Sequence, residues 1–170
     1  LPRETPASYN VPGDNVPGAA PRKETSMSEQ SELEFGAVGA EAEAFQYAVT
    51  STRTFDKVLL SLATEIDSVG LRLLQEIDVQ KALAEAGRTT GGFRLLFFFH
   101  PALVIRVISA DVSAMVEAPL KLVVAEGADG IVTLRLADPA TAFGRYGNPA
   151  LAELGTELSA TVRRIVHASI

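Results

Sequence analysis

Four segments of this chain alternate residue by residue, and that pattern limits its fold more than any other feature. In Leu71–Ile77, Leu71, Leu73 and Ile77 fall on one side and Arg72, Leu74 and Glu76 on the other. Phe93–His100 sorts Phe93, Leu95, Phe97 and Phe99 against Arg94, Leu96, Phe98 and His100. Pro119–Ala125 sorts Leu120, Leu122 and Val124 against Lys121 and Val123. Ile131–Ala137 sorts Val132, Leu134 and Leu136 against Thr133 and Arg135. A period of two places successive side chains on opposite faces of a sheet. The pattern predicts one wholly apolar face, and a second that mixes Arg72, Arg94, Lys121 and Arg135 with Leu74, Leu96, Phe98 and Val123.

The segments between are helical. After a first strand with Phe45, Tyr47 and Val49 on one side, Thr54 stands at the start of a stripe made by Phe55, Val58, Leu59, Leu62, Ile66 and Val69. That spacing is one face of a helix, and Gly70 is placed to end it. A short helix over Val79–Ala86 stops at Gly87, and a turn over Arg88–Gly92 leads to the Phe-rich strand. Pro101 opens a helix running to about Ala110, in the first-turn position that proline favours. The last two strands read as a hairpin around Glu126–Gly130, followed by a loop through Asp138, Pro139 and Phe143–Gly147. Asn148 and Pro149 make a cap and first turn for a final helix with the stripe Leu151, Leu154, Leu158, Val162 and Ile165. Grouped strands with long helices predict an α+β domain, with a mainly antiparallel five-stranded sheet covered by helices on one face.

With 170 residues, the chain is sized for one domain. The domain is expected over residues 44–168. Residues 1–43, rich in Pro, Gly, Ser and charge, read as a disordered lead-in, and residues 1–26, ahead of Met27, read as upstream sequence. A net charge of −6 argues against wholesale binding to nucleic acid or an acidic membrane. The absence of cysteine excludes disulfides, thiolate chemistry and sulfur-ligated metals. His100 and His167 are the two imidazoles, and they stand far apart in sequence, so no metal or cofactor is expected. The most apolar run, Leu95–Ala110, is broken by His100, Pro101 and Arg106 and is too short to span a bilayer. With no signal-peptide core visible, a cytoplasmic protein is expected.

Taken together, Gly70-Leu71 through Glu76-Ile77-Asp78-Val79 with Leu83, the strand running into Pro101, the Pro119-led hairpin, Asp138-Pro139 and the Asn148-Pro149 helix resemble the bacterial domain of unknown function 302 family. The resemblance covers about residues 44–168. It implies a β-α-β(4)-α arrangement like one repeat of the TATA-box-binding proteins, with extra short helices and often as a dimer. It implies no activity. Many members carry Cys or Asn before the proline at position 101, and Pro-Cys at the start of the hairpin. This chain has His100 and Pro119-Leu120 there, so a thiol-based role inferred for the family has no residue to use here.

The mixed face admits several readings. It is a solvated surface whose Arg and Lys stems cover apolar neighbours, a homodimer or partner interface, or a site for a small anionic ligand. Single-stranded nucleic acid would need more stacking aromatics than Phe98 alone. The leading expectation is a self-associating, non-enzymatic binding module. The competing one is a small enzyme using His100 with Glu76 or Asp78 for acid–base chemistry, against the plainer reading of His100 as a cap for the Pro101 helix. No nucleophile elbow, P-loop or dinucleotide fingerprint accompanies it.

Overall fold

The computed structural model describes residues 40–170, so the expectation for residues 1–39 lies outside the described residues. A 3-10 turn, Ala40–Ala44, leads into the domain, so residues 40–43 belong to a helical turn. In order come β1 (Gln46–Ser51), α1 (Phe55–Ser68), β2 (Arg72–Asp78), α2 (Val79–Glu85), β3 (Phe93–Phe99), α3 (Pro101–Ala110), β4 (Leu120–Glu126), β5 (Val132–Ala137), α4 (Pro139–Gly144) and α5 (Pro149–Ser169). The strands form one sheet in the order β1-β5-β4-β3-β2, and every neighbouring pair is antiparallel. This is the α+β arrangement that the alternation and helical stripes predict.

Helix boundaries follow local chemistry. Asn148 accepts from the amides of Ala150 at 2.9 Å and Leu151 at 3.4 Å, satisfying two of α5's orphan donors. Asp78 caps α2 through the amide of Lys81 at 2.8 Å. Thr54 occupies the N-cap position of α1 but makes no side-chain cap bond. Beyond α1, Gly70 adopts φ +77°, the left-handed conformation that ends a helix without a Cβ penalty. The expected loop after β5 holds a short helix, α4, which begins at Pro139, and a 3-10 segment, Val112–Glu117, precedes β4.

The core lies between one sheet face and the pair α1 and α5. Val58, Leu62 and Ile66 of α1 and Val162, Ile165 and Val166 of α5 pack with Leu96, Phe98, Leu122, Val124, Val132, Leu134 and Leu136 of the sheet. A second cluster joins Val107 and Ala114 to Phe143, Leu151, Leu154 and Leu158, which is why α4 is a helix docked on α5. Gly155 permits that docking: a Cβ there would stand 2.7 Å from the Pro139 carbonyl oxygen and 3.0 Å from the Phe143 Cβ. Polar contacts fix α5 to β1 and to the start of α4. The Tyr47 hydroxyl and His167 Nε2 are 2.6 Å apart, the Arg163 guanidinium sits 4.1 Å over the Tyr47 ring, and Ser159 donates to Asp138.

Candidate functional site: the uncovered sheet face

With helices on one side, the register decides what the other side presents. Residues directly paired across strands share a face. Leu122 and Leu134 are core, so Lys121, Val123 and Ala125 of β4 and Thr133, Arg135 and Ala137 of β5 point away from the helices. Pairing with β1 adds Gln46, Ala48 and Thr50 to the uncovered face. Phe97 pairs with Lys121, Leu95 with Val123 and Phe93 with Ala125, which brings Phe93, Leu95, Phe97 and Phe99 there as well. Gln75, Ile77 and Arg72 follow by pairing with Phe97, Leu95 and Phe99.

One row of this face therefore runs Ala48, Arg135, Val123, Leu95, Ile77, and beside it Lys121 pairs through Phe97 with Gln75 while Gln46 pairs with Ala137. Phe93, Leu95, Phe97, Phe99, Ile77 and Val123 on this face are only half-buried among the described residues. No strand position on this face carries a carboxylate. Among the described residues, Arg72, Lys121 and Arg135 have no ion-pair partner. Lys121 and Arg135 are diagonal neighbours on adjacent strands, so the two residues are about 7–8 Å apart. Beside Lys121 opens a hollow of about 330 Å³ whose walls include Phe97, Pro119, Leu136, Ala137 and Phe143. Glu117 also reaches that hollow, with its carboxylate bonded to the Tyr146 hydroxyl at 3.1 Å and Arg145 at 3.4 Å.

Three of the eight residues expected on this face belong to the other one. Leu96 and Phe98 are buried core, and Arg94 shares their side. The reason is that β3 is apolar at every position but one, so its alternation has no polarity to read, and only pairing with β4 fixes its faces. Arg94 is tolerated on the helical side because it sits at the rim. Its Nε lies 3.1 Å from Glu76 and its Nη1 2.7 Å from Asp78, and its guanidinium is 5.7 Å from the centre of the Phe55 ring. A bulge between Leu73 and Gln75 makes Leu74 the extra residue of β2 and exchanges the expected sides of Glu76 and Ile77. Leu74 is exposed and borders a shallow hollow with Phe99, Val104 and Met115. Arg72, Lys121, Val123 and Arg135 share the open face, with Arg72 on the edge strand β2 and Arg135 three strands away on β5, and the half-exposed Phe97, Leu95 and Ile77 are residues that the alternation assigns to the core.

His100 is not assembled with Glu76 or Asp78. Its Nδ1 accepts from the amide of Ala102 at 3.1 Å, capping α3. Glu76 and Asp78 pair with Leu96 and Arg94, four and six residues earlier along the strand, so they lie about 13 and 20 Å away along it. Both are held by Arg94. A hollow of about 250 Å³ next to His100 includes a different carboxylate, Glu157, whose oxygens are taken by Arg106 at 2.6 and 3.1 Å. That hydrogen-bonded guanidinium holds the Glu157 carboxyl below the usual carboxylate range. Among the described residues no cluster of three or more acidic or imidazole groups is placed to hold a metal ion. Among them, too, no helix is long and apolar enough to cross a membrane.

The fold and its open face define a class: a single α+β domain with one sheet face packed by helices and the other left open among the described residues. The family model described as "Domain of unknown function DUF302" matches residues 47–169, and the chain belongs to that family. A crystal structure of an uncharacterized conserved DUF302 protein from Bacillus stearothermophilus is similar in fold, with a TM-score of 0.68 at 20% identity. The similarity covers 74% of this chain and 98% of that one. No curated protein matches the chain significantly.

Proposed function

We propose that this chain is a binding module, not an enzyme, and that its uncovered sheet face takes an anionic partner bearing apolar groups. The observation that carries this reading is the face's one-sided charge. Arg72, Lys121 and Arg135 rise from it, no strand position answers them with an acid, and Phe97, Leu95, Val123 and Ile77 lie between them. In a chain of net charge −6, cations gathered on one bare surface create a local potential opposite to that of the whole molecule. The apolar band supplies contact area that loses water on binding. An anion with an aromatic or aliphatic body satisfies both features.

Self-association through the same face is the second reading, and the half-buried Phe93, Leu95, Phe97 and Phe99 favour it. Charge opposes a symmetric face-to-face pairing, because it sets Lys121 and Arg135 of one copy against a surface of like sign. Titration with anilinonaphthalene sulfonate, an anionic aromatic probe, separates the two readings when run with light scattering. Saturable, salt-sensitive binding that weakens in the double variant Lys121→Ala, Arg135→Ala supports the ligand reading. A concentration-dependent dimer that excludes the probe supports the second. Probe binding that ignores both substitutions removes the first.

A further inference from the structure

At one corner the open face is concave. Lys121 lines the hollow of about 330 Å³ that lies among the start of β4, the end of β5 and α4. Its apolar wall includes the buried Leu136, Pro139, Ala142 and Phe143, and the half-buried ring of Phe97 flanks Lys121. That volume stands at the lower end of the ~300–1,000 Å³ range of small-molecule pockets, room for one ring or a short branched chain. Lys121 and Glu117 are the charged residues among those that line it, and they make no ion pair with each other. Glu117 accepts from the Tyr146 hydroxyl at 3.1 Å and from the Arg145 guanidinium at 3.4 Å, both on Oε1. Among the described residues its Oε2 meets no donor, and Lys121 meets no acid.

We infer that this hollow is the ligand subsite of the open face, and that it takes a small carboxylic acid with an apolar body and a hydrogen-bond donor, hydroxyl or ammonium, beside the acid group. This inference rests on the reading of the face as an anion-binding surface. Opposite charges that line one hollow and stay apart leave a place for a molecule that carries the complement of each. The ligand's carboxylate meets the Lys121 ammonium, its donor meets Glu117 Oε2, and its body displaces water from the apolar wall. Lys121 suits the first task because its flexible stem carries a point charge, and no ion pair has to break for it to move. Glu117 suits the second because Tyr146 and Arg145 hold its carboxylate before any ligand arrives, which lowers the cost of ordering it on binding. Its side chain is only 19% exposed, so the unpartnered oxygen is short of water as well as of protein donors. An acid of the same shape without a donor leaves that oxygen unanswered in a covered site, and this penalty discriminates between ligands.

Amide NMR titration of the full chain with acids of one shape tests the inference. Phenylpropionate has no donor, phenyllactate adds a hydroxyl, and phenylalanine adds an ammonium. Saturable shifts are expected at Ala137, Ala142 and Phe143, with phenyllactate or phenylalanine binding severalfold more tightly than phenylpropionate. The tighter of the two names the donor. Glu117→Ala should erase that advantage, and Lys121→Met should weaken every one of these acids severalfold. Ala137→Phe places a ring at an exposed position on the hollow's edge and should block them all while leaving the core intact. Equal affinity for the three acids, an advantage that survives Glu117→Ala, or shifts that miss α4 would overturn the inference. If that happens while anilinonaphthalene sulfonate still binds less well to the Lys121→Ala, Arg135→Ala variant, the subsite is wrong and the anion-binding face stands. If the sulfonate ignores those substitutions too, the face is not an anion site and the subsite falls with it.

Discussion

Phe97 pairs with Lys121 on the uncovered side of the sheet, a half-exposed ring next to a cation that meets no carboxylate among the described residues. In a folded protein the usual place for an aromatic strand residue is the core, and the usual neighbour of a surface lysine is an acid. Both departures occur at one cross-strand pair, and Arg135 with Val123 continues them on the adjacent row.

Removing the cations should weaken binding without unfolding the domain. Lys121 is exposed and Arg135 is half-exposed, and neither is tied to a described acid. Lys121→Glu and Arg135→Glu are expected to leave stability within about 0.5 kcal/mol of the parent. Each should reduce affinity for an anionic aromatic probe and flatten its salt dependence. Urea denaturation and fluorescence titration on the same samples separate the two effects.

Arg94 should behave in the opposite way. Its side chain is 18% exposed and binds both Glu76 and Asp78, so truncation leaves two carboxylates facing each other at a partly covered rim. Arg94→Ala is expected to cost about 1–3 kcal/mol, with probe affinity unchanged. Chemical denaturation gives the first quantity and titration the second. A binding defect without a stability defect would place Arg94 on the wrong side of the sheet.

Two changes in the α4–α5 region read out the second core cluster. Asn148→Ala removes the α5 cap and also a bond from its Nδ2 to the Ala110 carbonyl at 3.0 Å. A loss of about 1–2 kcal/mol is expected. Gly155→Ala gains helix propensity of about 1 kcal/mol. Its Cβ would nevertheless meet the Pro139 oxygen at 2.7 Å. That is backbone, which yields only if α4 shifts, so a net loss of stability is expected in thermal melts.

Acid should weaken the contact between α3 and α5. The Glu157 carboxyl lies below its ordinary range because Arg106 donates to it, and the Asp111 carboxyl does so because Ser113 bonds to it. A folded-state value below the unfolded one stabilises the protein above the unfolded value, and that contribution is lost as pH falls through the folded one. The stability difference between the parent and Glu157→Gln should therefore be largest at neutral pH. It should shrink as pH drops through the carboxylate range, around 4. Thermal melts of the pair across that range check the sign.

What the sequence reveals, and what it hides, both trace to particular strands. β4 and β5 each have one apolar and one mixed side, and their faces were legible from alternation alone. The stripes of α1 and α5, with Gly70 and Asn148 at their ends, were legible for the same reason. β3 was not, because Phe93-Arg94-Leu95-Leu96-Phe97-Phe98-Phe99 is apolar in both registers. Its one charge, Arg94, points to the helical side, where Glu76, Asp78 and Phe55 receive it. In β2 the bulge after Leu73 shifts parity mid-strand, and no residue there announces it. The extra helix α4 was hidden because its six residues bury only Pro139, Ala142 and Phe143, too few for a stripe. The apolar character of the open face is therefore hidden in the sequence, since the Phe and Leu side chains it displays read as core.

The most direct measurement is a map, by amide NMR, of where anilinonaphthalene sulfonate binds the full chain. Saturable shifts confined to Phe97, Lys121, Val123, Arg135 and their row neighbours, diminishing as salt is raised, are expected. Shifts concentrated on α1 and α5, or at His100 and Glu157, with the open face silent, would contradict it.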